Sequence, residues 1–64
     1  MTHPPLSPRQ VEIMRRICRG LTDKEIAVEL GVKPATIGVH VFRIVARLHA
    51  RNRSHAIFIV TRRV

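Results

Sequence analysis

Leu21-Thr22-Asp23-Lys24-Glu25-Ile26-Ala27-Val28-Glu29-Leu30-Gly31-Val32-Lys33-Pro34-Ala35-Thr36-Ile37 is the stretch whose reading decides the fold. Thr22 is a helix-capping residue type. Glu25 stands at the position whose side chain can reach back to the backbone N–H of the cap. Leu21 before the cap and Ile26 inside the helix are spaced to staple across it. Ile26, Ala27 and Leu30 then form one inner face, predicting a helix over 23–30. Gly31 ends that helix after about two turns, because the left-handed conformation costs glycine least. Lys33 is a weaker cap, but Pro34 suits the first turn of a following helix. A short helix, a glycine turn and a new helix therefore follow one another with almost no connecting chain.

The same grammar extends in both directions. Downstream, Ile37, Val41, Ile44 and Leu48 form an apolar stripe that predicts a helix over 34–48. Upstream, Ser7 caps, Pro8 takes the first helical position and Gln10 completes a capping box, with Leu6 and Val11 as a staple. Val11, Met14, Ile17, Cys18 and Leu21 read as the stripe of a helix over 8–19, with Gly20 as its stop. His49 to Asn52 read as an exit and short loop. Asn52 caps a last helix over 53–63, with Ala56, Ile57 and Val60 inward. No alternating strand pattern occurs. The fold class is all-α with four helices: a flexible, Pro-rich segment over 1–5 and one helix-turn-helix DNA-binding domain over 6–64. In that layout the second helix of the pair can enter a DNA major groove.

Composition agrees. The chain has 64 residues, with twelve Lys and Arg against four Asp and Glu, a formal charge of +8. A chain this short has a thin core and no room for an enclosed active site beside it. Its charge points to a polyanion, with nucleic acid ahead of an anionic lipid surface. The lone Cys18 excludes an internal disulfide and reads as a small core residue, compatible with a reducing cytoplasm. Met1-Thr2-His3-Pro4-Pro5 lacks the apolar stretch of a signal peptide, and the longest apolar run, Ala56 to Val60, is far short of a membrane span.

The stretches Leu6-Ser7-Pro8-Arg9-Gln10, Gly20-Leu21-Thr22-Asp23-Lys24-Glu25-Ile26-Ala27, Leu30-Gly31-Val32, Thr36-Ile37 and His40-Val41, together with Arg53 and Ala56, carry a resemblance. In order and spacing, from residue 6 to about residue 60, the chain resembles the LuxR-type (NarL/GerE-like) helix-turn-helix domain of bacterial response regulators and quorum-sensing activators. The resemblance implies a four-helix domain, DNA binding through the third helix and dimerisation through the fourth. The chain departs from the family at Gly38, where Lys is usual, and at Phe42, where a polar or basic residue is frequent. It also has Lys33 in place of a Ser or Thr cap, and Asp23 in place of Asn.

With Ile37 and Val41 inward, the opposite face of the third helix holds Ala35, Val39, Phe42, Arg43 and Ala46, with Gly38 at its flank. Arg43 suits bidentate hydrogen bonds to guanine, and Val39 and Phe42 suit thymine methyl groups. Gly38 costs about 1 kcal/mol relative to Ala. Either it admits a close phosphate approach, or it marks relaxed base reading. Thr22 and Lys24 sit at a helix N-terminus suited to phosphate. Lys33 and Arg47 reach the same surface, as do Arg51 and Arg53 at the start of the fourth helix, while Asp23 would repel a phosphate. The expected DNA-binding set is Thr22, Lys24, Lys33, Ala35, Thr36, Val39, Phe42, Arg43, Arg47 and Arg51. Phe58, Ile59 and Arg62 are the expected dimer interface, Phe58 and Ile59 because they point away from the domain's own core.

Other features have structural explanations. Glu25 belongs to a capping box, and Glu12 pairs locally with Arg9, Arg15 or Arg16. His3, His40, His49 and His55 have no metal-ligand spacing with Cys18, and His40 suits a hydrogen bond at the edge of the core. Asn52-Arg53-Ser54 fits a glycosylation triplet but reads as a cap. No catalysis, cofactor or metal is expected. The expected partners are double-stranded DNA and a second copy of the chain, with a protein partner as the alternative. The expected location is the bacterial cytoplasm, at the nucleoid. Both a stand-alone regulator and the output domain of a longer protein fit. The runner-up function is a protein-interaction module that modulates another regulator through Val39, Phe42, Ala46, Phe58 and Ile59. Association with anionic lipid is a third reading, opposed by apolar stripes committed to a globular core.

Overall fold

Helices begin where the capping residues put them. The computed structural model describes residues 6–62 and holds four helices: α1 (Pro8–Cys18), α2 (Asp23–Leu30), α3 (Pro34–Arg47) and α4 (Arg53–Thr61). Ser7 Oγ accepts from the Gln10 N–H at 3.1 Å, and Gln10 Oε1 accepts from the Ser7 N–H at 2.9 Å. Thr22 and Glu25 form the same reciprocal pair at 3.2 and 2.8 Å. Asn52 Oδ1 caps α4 by accepting from the His55 N–H at 2.8 Å. The α1 and α3 helices each end one residue before the expected boundary. The α4 helix ends at Thr61, with Arg62 as its C-cap, before the expected boundary at residue 63; the flexible segment expected over 1–5 lies outside the described residues.

The first three helices stop by one device. Leu21 N–H donates to Arg16 O at 3.1 Å, and Gly20 N–H donates to Ile17 O at 2.9 Å. The corresponding donors are Val32 and Gly31 after α2, and Ala50 and His49 after α3. These paired bonds are the Schellman arrangement, which needs a left-handed residue at the turn. Gly20 and Gly31 supply it with φ of 92° and 69°, and His49 supplies it with φ of 55°. The sequence carries no signal for His49, because it lacks the glycine that makes such turns legible.

The core draws on all four helices. Ile13, Met14 and Ile17 of α1 meet Ile26 and Ala27 of α2, Ile37 and Ile44 of α3, Leu48 just past its end, and Ala56 of α4. Two expectations for α1 are corrected here. Ile13 is fully buried, whereas Val11 and Cys18 are exposed. The stripe therefore runs through Gln10, Ile13, Met14 and Ile17, one step around the helix from the expected line. Gln10 is buried without penalty because the capping box satisfies its amide oxygen. Partial burial pushes the Cys18 thiol pKa up by desolvation, so it remains a protonated thiol rather than a reactive thiolate.

Ion pairs fasten the periphery. Arg16 Nε lies 2.7 Å from Glu29 Oε1, joining α1 to α2, and Arg53 Nη1 lies 2.7 Å from Asp23 Oδ1, joining α4 to α2. The second contact lacks hydrogen-bond alignment and is an ion pair only. Glu12 pairs with Arg9 at 3.8 Å, one of its expected partners. No described helix is long and apolar enough to cross a membrane.

Candidate nucleic-acid interface

The outward face of α3 is set by the burial of its inward face. Ile37 and Ile44 are fully buried and Val41 and Val45 pack partly against the core. Helical periodicity then turns Ala35, Thr36, Val39, Phe42, Arg43, Ala46 and Arg47 to solvent, and all seven are exposed. Phe42 keeps 75% and Val39 keeps 49% of its surface in water. The expected set on this helix therefore shares one continuous face. At about 21 Å long, α3 has the dimensions of a helix that lies in a major groove.

Charge is distributed unevenly around this face. All four carboxylates lie on α1 and α2, and none lies on α3 or α4. Each of the four is engaged within the domain: Glu12, Asp23 and Glu29 by arginines, and Glu25 by the Thr22 backbone. Among the described residues, Lys24, Lys33, Arg43, Arg47, Arg51 and Arg62 have no carboxylate partner. The Arg53 ion pair also resolves the difficulty posed by Asp23. Its negative charge at the start of α2 is compensated, which removes much of its repulsion for a phosphate.

The remaining expected contacts are arranged around α3. Thr22 and Lys24 are exposed at the start of α2, and the Thr22 hydroxyl is already used in capping. Lys33 precedes α3 and makes no side-chain cap bond. Arg51 is exposed in the loop before α4, where its N–H donates to His55 Nδ1 at 2.9 Å. That bond, which sequence reasoning missed, fixes the loop carrying Arg51. His40 is half-buried, but its Nδ1 is buried without a hydrogen-bond partner, so the expected bond is not made through that atom.

The fourth helix has its own exposed cluster. Phe58 is 53% exposed, with the Arg62 guanidinium 5.2 Å above its ring centroid and the His55 ring stacked at 6.5 Å. Ile59 differs from expectation: it is partly buried and packs against the core rather than pointing away. A groove of about 610 Å³ is lined by residues of α1 and α4, including Val11, Met14, Cys18 and Val60. Among the described residues, no three His, Cys, Asp or Glu side chains converge on a point.

Residues 4–60 match the family of bacterial regulatory proteins described as the luxR family. The chain belongs to the luxR family. Its resemblance extends to a two-component response regulator, PprB, of Pseudomonas aeruginosa, 39% identical over 77% of this chain and 18% of that protein. The HTH-type regulator GfsR of Streptomyces halstedii, described as probable, is 40% identical over 81% of this chain and 21% of its own length. The transcriptional regulatory protein UhpA of Escherichia coli is 35% identical over 75% and 24%. The chain thus spans about a fifth to a quarter of these relatives. Membership makes this a helix-turn-helix domain of the DNA-binding, transcription-regulating kind.

Proposed function

We propose that this luxR-family domain controls transcription in the bacterial cytoplasm, at the nucleoid, by laying α3 in the major groove of duplex DNA. The observation that carries this reading is the α3 face itself: seven exposed residues, no carboxylate, and Arg43 and Arg47 side by side on its edge. Arg43 faces a guanine, and Ala35 and Thr36 approach base edges near the start of the helix. Arg47, Arg51, Lys33 and Lys24 meet phosphates, and the N-terminus of α2 at Thr22 adds its dipole.

Dimerisation through α4 completes the proposal. Phe58, with Arg62 over its ring, forms the centre of a self-complementary surface, and half-buried Ile59 supplies its floor. Two copies related by a two-fold axis would hold their α3 helices about 34 Å apart, one turn of DNA.

The test is selection of bound sequences from a genomic pool, followed by affinity comparison with random duplex. Preference of at least about a hundredfold is expected. Absence of binding at about 0.1 M salt, where phosphate contacts dominate affinity, contradicts the proposal. The exposed Phe42 ring favours one second reading, docking of a protein partner. Phe42→Lys separates the two readings: stronger DNA binding through the added charge supports the DNA reader, whereas loss of a protein complex supports the docking role.

A further inference from the structure

We infer that α3 selects its sites chiefly through the 5-methyl groups of thymines, read by Val39 and Phe42. This inference rests on the major-groove placement proposed above and specifies what that helix recognises. The first argument is chemical. Side-chain readout of adenine uses Asn or Gln, readout of cytosine uses Asp or Glu, and readout of guanine uses Arg or Lys. The α3 sequence, Pro34-Ala35-Thr36-Ile37-Gly38-Val39-His40-Val41-Phe42-Arg43-Ile44-Val45-Ala46-Arg47, has no Asn, Gln, Asp, Glu or Lys. Arg43 provides one guanine contact, and Arg47 lies a turn further along. The rest of the outward face is apolar apart from the small hydroxyl of Thr36.

The second argument is geometric. The thymine methyl is the one apolar group on the floor of the major groove. Phe42 and Val39 are the large apolar side chains that α3 presents to solvent. Phe42 stands one turn after Gly38, and helical side chains lean back toward the preceding turn. A Cβ placed at Gly38 would meet nothing within 4 Å, so the helix surface one turn before Phe42 is open. That opening gives the phenyl ring room to settle against a methyl group. The third argument is charge complementarity. Unpaired Lys33 precedes the helix, Arg43 and Arg47 line one edge of its apolar face and Arg51 follows it, with no carboxylate on α3, a pattern that suits an occupant anionic at its rim and apolar at its middle. A DNA groove with phosphate walls and methylated pyrimidines on its floor has that chemistry.

Deoxyuridine differs from thymidine only by the missing methyl, so it isolates the contact. The experiment uses the whole chain and the best site recovered by selection, with each thymine replaced in turn by deoxyuridine. At the thymines under α3, each replacement should weaken binding about fourfold, the effect of one buried methyl-sized group. Phe42→Ala should bind the parent site more weakly and lose sensitivity at one of those positions, and Val39→Ala should do so at another. Both residues are exposed, so neither substitution threatens the core. If site preference persists while every deoxyuridine replacement is neutral, the inference is overturned and the DNA-binding proposal stands. Equal sensitivity of the wild type and both variants also overturns it, since the methyls would then be read by other residues. Failure to bind any duplex overturns the proposal and the inference together.

Discussion

The two helices of the helix-turn-helix are adjacent in the chain and stabilised in opposite ways. The α2 helix is closed at both ends, by the Thr22–Glu25 capping box and by the left-handed turn at Gly31. Asp23 and Glu25 also favour the positive end of its dipole. The α3 helix starts at Lys33 without a side-chain cap, has no acidic residue in its first turn, and carries Gly38 in its body. Local interactions therefore support α2, whereas α3 depends on the burial of Ile37 and Ile44. The difference shows where the chain has placed function. The capping groups of the α2 start, Thr22 and Glu25, are committed to holding the helix, while Lys24 and the outward groups of α3 are left free for a ligand.

Three substitutions sharpen this contrast. Ile37→Ala should have the largest effect, about 2–5 kcal/mol of stability, because it removes a fully buried side chain that anchors α3. In a domain this small, that loss should abolish a cooperative melting transition. A mild loss would mean that α3 is held by something besides its buried stripe. Thr22→Ala should cost about 1 kcal/mol by removing the cap of α2, measured by denaturant unfolding. Gly38→Ala should act in the opposite direction, stabilising by slightly under about 1 kcal/mol, since helix propensity improves and the added methyl meets open space. Destabilisation by Gly38→Ala would show that the glycine is needed by the fold rather than left for the ligand.

Much of this contrast was legible in the sequence, for physical reasons. Capping boxes are local, so Ser7–Gln10 and Thr22–Glu25 could be read without knowing the fold. The α3 stripe was equally clear, because Ile37, Val41, Ile44 and Leu48 recur at helical spacing. The α1 stripe was misread because Val11, Ile13, Met14, Ile17 and Cys18 are apolar at overlapping spacings. Only tertiary packing selects Ile13 over Val11. Ile59 was misplaced for a similar reason: α4 is apolar on most of its circumference, so periodicity hardly distinguishes inside from outside. Long-range pairs such as Arg53–Asp23 and Arg16–Glu29 have no local signature. The α3 face was legible residue by residue, but its charge environment emerged only when the carboxylates were found engaged elsewhere.

The central claim is that the free basic groups beside α3 contact DNA phosphates, whereas equally charged groups on α1 do not. Salt dependence of binding to the selected site tests it directly, comparing Arg47→Ala/Arg51→Ala, the α3 pair, with Arg15→Ala/Arg19→Ala, the α1 pair. Both pairs remove the same formal charge, and all four arginines are exposed without carboxylate partners among the described residues. The account predicts that the α3 pair lowers the slope of log affinity against log salt by up to about 2, with the α1 pair leaving it nearly unchanged. Equal slope changes for the two pairs would contradict the account, because binding would then follow net charge rather than the face of α3.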